Sequence, residues 1–258
     1  MIEIKNIFKS YDRRYVIHDI SAVFDAGKTN LIIGRSGSGK TVLLKNVIGL
    51  ITPDSGEILF DGRNLLCMSK KEILGLRREM GLLFQGSALF DSMTVLENVM
   101  FPLEMFSEDS LRDRKKRAME CLERVDLSKE SYHCYPSEIS GGMMKRAAIA
   151  RAIVLQPQYL FCDEPNSGLD PKTALIIDDL IHSITYEYGI TTVINTHDMN
   201  SVMNIGETIL FIKEGIKEWG GTKDEVVYSN NRALEDFIFA SELLRKAIEM
   251  KEENQKEG

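Results

Sequence analysis

Eight consecutive residues, Gly34-Arg35-Ser36-Gly37-Ser38-Gly39-Lys40-Thr41, fit the pattern GxxxxGK[ST], whose chemistry is the holding of phosphates. Gly34, Gly37 and Gly39, with Ser36 and Ser38 between them, let the backbone curl until successive N–H groups converge, and a helix N-terminus adds its dipole. Lys40 is placed to reach the β- and γ-phosphates of a nucleotide, and the Thr41 hydroxyl to ligate Mg²⁺. Kinases, GTPases and many ATPases share such a loop, so it leaves the reaction open. A second set of residues narrows it. Tyr159-Leu160-Phe161-Cys162-Asp163-Glu164 is an apolar run ending in two carboxylates. Asp163 suits Mg²⁺, directly or through water, and Glu164 suits polarising a water that attacks a phosphoryl group.

These residues need elements to hold them. Leu31-Ile32-Ile33 reads as a short buried strand before the glycine-rich loop, and Thr41 to Leu50 has helical spacing until Pro53, which gives strand, loop, helix. YLFCDE and TTVINTHD read as two further strands, with the helical ALIIDDLIHSITYEYG between them. That βαβ alternation predicts a parallel sheet with working residues at the carboxyl ends of its strands. Ahead of it, MIEIKNI and VIHDISAVF predict a β layer, and the turn Asp25-Ala26-Gly27 follows the second of them.

From about Ser87 to Leu155 the pattern turns helical, as in LRDRKKRAMECLERV, and predicts an inserted helical subdomain. The tail from about Asn231 reads as helix and ends in the solvated KEENQKEG. The expected fold is therefore α/β: a P-loop NTPase, RecA-like, with a parallel-sheet core, an N-terminal antiparallel β layer and an inserted helical subdomain. Residues 1–221 form the expected nucleotide-binding domain, with the helical part at about 87–155, and 222–258 a helical extension with a frayed end.

Ile139-Ser140-Gly141-Gly142-Met143 resembles the LSGGQ signature of ABC ATPases and, as in that family, lies shortly before the aspartate strand. A Ser-Gly-Gly turn opening a helix is a second anion site made of N–H groups, a hydroxyl and a dipole. The resemblance implies that Ser140, Gly141 and Gly142 close on ATP held by the P-loop of a second copy. Other positions match one at a time. Gln85, in GLLFQGSALF, is similar to the glutamine that contacts Mg²⁺ and water and faces the membrane partner. Asp170, in NSGLD, resembles the aspartate that crosses the dimer interface. His197, in NTHD, is similar to the histidine that contacts the γ-phosphate, and Tyr11 to the aromatic residue that stacks on adenine. The likeness runs from Ile2 to about Gly221 and departs from the common pattern at Arg35, Met143 and Asn166.

Within the family the sequence resembles the ATPases of Mla-type phospholipid transport systems, on LFQGSALF at Leu83–Phe90, Met93-Thr94-Val95, Glu97-Asn98-Val99, Phe101-Pro102-Leu103, and Met143 with Lys145-Arg146. The implied cofactors are ATP and Mg²⁺. The implied partners are a second copy, integral-membrane permease subunits and a small regulatory subunit, with an amino acid, a metal or a lipoprotein as alternative cargoes. Two other classes share part of the pattern. An ABC ATPase of DNA repair or translation usually carries two such domains or long inserts, and a P-loop small-molecule kinase has no use for Ser140-Gly141-Gly142 or His197.

A formal net charge of -7 speaks against binding nucleic acid by bulk electrostatics. No apolar run reaches the roughly 20 residues of a bilayer span, and MIEIKNIFKSYD lacks the features of a secretory signal. The expected location is the cytoplasm, peripheral on the inner face of the cytoplasmic membrane. Cys67, Cys121, Cys134 and Cys162 are scattered and form no CxxC pair, which predicts free thiols.

Overall fold

The computed structural model describes residues 1–226 and 228–238. The chain opens with β1 (Ile2–Tyr11) and β2 (Arg14–Phe24), then β3 (Thr29–Ile33), α1 (Lys40–Val47), β4 (Ser55–Phe60), β5 (Arg63–Asn64), α2 (Lys70–Arg78) and β6 (Met80–Leu83). Three helices follow, α3 (Val95–Phe106), α4 (Leu111–Arg124) and α5 (Gly141–Ile153). The remainder is β7 (Tyr159–Asp163), α6 (Pro171–Tyr188), β8 (Thr191–Thr196), α7 (Met199–Ile205), β9 (Thr208–Lys213), β10 (Ile216–Thr222), α8 (Lys223–Val226) and α9 (Arg232–Ile238).

Two sheets result. The first, ordered β2-β1-β4-β5, is antiparallel. The second is ordered β10-β9-β3-β8-β7-β6, with β9, β3, β8, β7 and β6 mutually parallel and β10 antiparallel at its edge. This is the expected α/β P-loop NTPase fold. Its central strands are covered on both faces, which is why TNLII and YLFC are buried at every position rather than at alternate ones. Successive side chains still go to opposite faces. Ile32, Phe161 and Val193 join the core with Ile4, Phe60 and α1; Leu31, Leu160 and Ile194 join the other with α3, α5 and α6.

Element ends follow local chemistry. Thr94 and Glu97 form a reciprocal capping box that starts α3, and Asp170 starts α6 with Pro171 in its first turn. The helix expected over Thr41 to Leu50 stops at Val47. Gly49 takes φ 70° there, and the N–H groups of Leu50 and Ile51 fold back to the carbonyl of Lys45. At the far end, Val226, Leu234, Phe237 and Ile238 are buried in the same core as the parallel sheet, the Phe237 ring lying 5.4 Å from that of Phe211. The expected extension over 222–258 falls, at 227 and 239–258, outside the described residues.

Candidate nucleotide-binding and catalytic site

The glycine-rich loop joins β3 to α1, so it lies at the carboxyl end of a central parallel strand. Two glycines are required by space as well as by conformation. A Cβ on Gly34 (φ 153°) would sit 2.3 Å from the Ile212 carbonyl oxygen, and one on Gly39 (φ 105°) 2.9 Å from that of Val16. Lys40 is 5% exposed. Its Nζ donates to the carbonyls of Gly34 (2.8 Å) and Arg35 (3.2 Å) and lies 3.7 Å from Glu164 Oε1. Burial pushes its ammonium below the usual lysine value, against the pull of Glu164 and Asp163.

Parallel pairing of β3 with β8 and of β8 with β7 brings the acidic strand end to this loop. Thr41 Oγ1 donates to Asp163 Oδ1 (3.2 Å), and Asn195 Nδ2 donates to the same oxygen (3.1 Å). Asn195 Oδ1 and Ser38 Oγ are buried without a hydrogen-bond partner. Glu164 adopts φ 50°, a left-handed conformation unusual for its type, held by its N–H to the Asn195 carbonyl (3.0 Å). Its Oε2 meets His197 Nδ1 at 2.7 Å, while the His197 side chain is 55% exposed.

Gln85 Nε2 donates to Ser167 Oγ (3.1 Å), which joins the segment after β6 to the loop after β7. An open cleft beside them is lined by Glu164, Asn166, Ser167, Gly168, His197 and Phe237. Another runs from Arg35, Ser36, Gly37 and Ser38 to Lys213, Glu214, Ala233 and Asp236.

The residues fit a nucleotide with a magnesium ion. Gly34 and Gly39 pack against the Ile212 and Val16 carbonyls, which fixes the curl of the loop, with the buried Lys40 cation at its base. Thr41 and Asp163 offer oxygen donors side by side, and among the described residues no cluster of three or more His, Cys, Asp or Glu forms a dedicated cage. Mg²⁺ is typically held by one or two carboxylates together with phosphates and waters.

Lys40, Thr41, Asp163, Glu164 and His197 thus come together within one chain. The other anticipated residues lie apart or are otherwise engaged. Ser140 and Gly141 are exposed at the start of α5, and Ser140 Oγ accepts from the N–H of Met143 (3.3 Å). Their neighbours are Leu169, beside Gly141, and Thr173, beside Gly142. Asp170 caps α6, accepting from the N–H groups of Lys172 and Thr173 (both 3.1 Å). Tyr11 is 45% exposed near the β1–β2 turn, with the Lys9 ammonium 5.5 Å from its ring centre. The cysteines are free; Cys162 is buried, and burial pushes its thiol far above the ordinary value.

Sequence reading missed Asn195, although an asparagine directly after Val193-Ile194 in a strand is a signal, since a buried amide must have a structural use. It also missed a buried network. Asn166 Nδ2 donates to Asp178 Oδ1 (2.7 Å) and to Ser201 Oγ (3.0 Å), so the loop after β7, helix α6 and helix α7 share one amide. Asp178 is 1% exposed, and its carboxyl is raised to about 6, chiefly by burial and against hydrogen bonds from Ser201 and Asn166, with Asp198 and Asp179 nearby.

A raised folded-state value above the unfolded ~3.9 means that the stability Asp178 contributes is complete below that lower value and is lost as pH climbs through about 6. Asp178→Asn keeps an acceptor for Asn166 and removes this loss. Urea unfolding from pH 4 to 7 is expected to show the variant gaining on the parent as pH rises, up to about 3 kcal/mol; parallel curves would refute the assignment.

Comparison with known proteins agrees with this geometry. The family model described as ABC transporter matches residues 17–167, a span that takes in the glycine-rich loop, Gln85, Ser140–Gly142, Asp163 and Glu164. The probable ribonucleotide transport ATP-binding protein mkl of Mycobacterium leprae is 39% identical over 232 residues, 88% of this chain and 67% of that protein. The methionine import ATP-binding protein MetN of Clostridioides difficile is 37% identical over 238 residues, 92% of this chain and 74% of that one. The chain spans 64% of the length of the mkl protein of Mycobacterium tuberculosis. Among solved structures, the dimeric bacterial ABC transporter cassette MJ0796 superposes with a TM-score of 0.80 at 33% identity, covering 86% of this chain and 99% of that one. With the phosphate cradle, the paired carboxylates and the signature loop carried on a matching fold, the chain belongs to the ABC transporter family, as one of its ATP-binding, ATP-hydrolysing domains.

Proposed function

We propose that two copies of this chain pair head to tail around two ATP molecules, and that closing and reopening of the pair drives a membrane permease. One observation carries the reading. Two glycine-containing loops lead into helix N-termini, and the second, Ser140-Gly141-Gly142, opens to solvent beside Leu169 and Thr173. A twin's nucleotide is the natural occupant of that loop. The dimeric cassette among its structural neighbours supports the same arrangement.

On binding, Lys40 exchanges the carbonyls of Gly34 and Arg35 for phosphate oxygens, charged acceptors that make stronger hydrogen bonds. Ser36, Ser38 and the loop glycines surround the β- and γ-phosphates, and Tyr11 offers its ring to the adenine. Thr41 and Asp163, with Gln85, hold Mg²⁺, which when bound offsets phosphate charge. Glu164 orients and deprotonates the attacking water, and His197, fixed against Glu164, holds the γ-phosphate. Asp170 exchanges part of its helix-capping role for contact with the twin. ATP favours the closed pair through contacts present only in that state, and hydrolysis removes them.

The permease site we assign to a groove of about 500 Å³ beside the Gln85 loop, walled by Leu50, Leu82, Phe84, Phe101, Pro102 and Phe106. No helix among the described residues is long and apolar enough to cross a membrane. Leu50 is 54% exposed. Tagged wild-type protein from native membranes is expected to bring down an integral-membrane protein, and Leu50→Asp to lose it while still binding ATP; retention by Leu50→Asp would place the docking elsewhere.

For cargo, the residues at Leu83–Leu103 support a phospholipid, whereas the names of the relatives support methionine or a ribonucleotide. The identity of the copurified membrane protein decides between them.

A further inference from the structure

Under the proposed pairing, on which this inference rests, Gln85 serves the nucleotide of its own chain and Ser140–Gly142 serve that of the twin. Within one chain these two groups are joined by a buried lysine and a half-buried arginine. Helix α5 starts at Gly141, immediately after the signature serine. About one turn further, Lys145 is 4% exposed, and its Nζ donates to the backbone carbonyl of Gln85. Nearly two turns beyond that, Arg151 donates from Nη1 to the Ala88 carbonyl and from Nη2 to the Ser87 carbonyl, both at 2.7 Å.

Neither cation has a carboxylate partner among the described residues. Burial pushes both below their usual values. A buried charge without a counter-charge is costly unless its hydrogen bonds are kept, which applies in full to Lys145 and in part to the half-buried Arg151, so these three carbonyl contacts hold helix and loop together.

The loop they grip is itself unusual. Ser87 (φ 61°) and Ala88 (φ 49°) are consecutive non-glycine residues in the left-handed region, a strained run that persists only where surrounding contacts enforce it. At its head, the Gln85 side chain already reaches Ser167 in the loop beyond Glu164. A shift of α5 therefore has a direct path to Gln85 through Lys145 and to the strained turn through Arg151.

We infer that Lys145 and Arg151 are positioning residues that convey the engagement of Ser140–Gly142 by a twin's ATP to Gln85 in the same subunit's own site, so that the two ATP sites are coupled. The physical basis is a contiguous chain of hydrogen bonds along one rigid helix, biased by ligand contacts at its N-terminus.

The test uses the full chain. ATPase rate is measured against ATP and against Mg²⁺ concentration for wild type, Lys145→Met and Arg151→Lys. Methionine fills the lysine site without charge or donors; lysine at 151 keeps charge and bulk but cannot reach both carbonyls at once. Wild type is expected to show a Hill coefficient above 1. Both variants are expected to fall to about 1, with kcat reduced about 10–100-fold, KM for ATP changed less than about twofold, and a higher Mg²⁺ requirement.

Thermal unfolding separates loss of fold from loss of coupling. A folded Arg151→Lys that keeps the wild-type Hill coefficient and Mg²⁺ dependence overturns the inference, as does the same result for Lys145→Met. Pairing is read separately: Glu164→Gln and the double variant Glu164→Gln with Lys145→Met should both form ATP-dependent dimers. If Glu164→Gln alone stays monomeric, the shared-site reading falls and the coupling falls with it.

Discussion

A Glu164→Gln chain is expected to bind ATP at least as tightly as the parent and to turn it over about 10²–10⁴-fold more slowly, the range for losing a positioned general base. The structure gives this residue little other work. Its side chain is largely buried, one oxygen 2.7 Å from His197 Nδ1 and the other 3.7 Å from Lys40 Nζ. Its backbone is held in a left-handed conformation by the Asn195 carbonyl, and glutamine has the same backbone preferences and nearly the same shape. The substitution removes the negative charge and the basicity and leaves the packing. Removing a carboxylate next to Lys40 also takes away a competitor for the phosphates, so affinity should not fall. Steady-state phosphate release together with equilibrium binding of a fluorescent ATP analogue measures both quantities. Turnover near the parent rate would remove Glu164 from the role of base.

Ser140→Arg is expected to abolish ATP-dependent pairing and most hydrolysis while leaving the monomer folded. Ser140 caps α5 through Met143, and loss of such a cap costs about 1 kcal/mol, a fraction of the 5–15 kcal/mol typical of a domain. The residue is exposed, so the arginine side chain has room in the isolated chain. At a subunit junction the same bulk fills the space that a twin's phosphates need. Circular dichroism should superpose on the parent, and size-exclusion chromatography with Mg²⁺ and ATP should give a single monomer peak. A variant that pairs and hydrolyses normally is incompatible with a site shared between subunits.

The local features were legible in the sequence because each is a short pattern with its own physical cause. The glycine curl before Lys40, the apolar strand ending in Asp163 and Glu164, and the serine-glycine turn before α5 all depend on residues a few positions apart. The α/β alternation was legible for the same reason, and the family assignment followed from the order of these motifs.

What escaped notice depends on which distant strands become neighbours. Asn195 supports Asp163 only because β8 lies beside β7, and no local pattern reports that order. Lys145 and Arg151 take backbone carbonyls 60 to 64 residues away as partners, which the spacing within α5 does not report. The buried Asn166–Asp178–Ser201 network spans three elements, and the raised Asp178 carboxyl follows from a burial that spacing alone does not reveal. The end of α1 was misplaced by three residues because the turn at Gly49, rather than Pro53, stops the helix.

The most direct test of a site divided between two copies is the solution mass of Glu164→Gln by light scattering, with and without Mg²⁺ and ATP. Shared sites predict the 29.2 kDa of one chain without nucleotide and twice that mass with it. A variant that remains at the mass of one chain in saturating ATP, beside a wild type that hydrolyses at full rate as a monomer, would contradict the account.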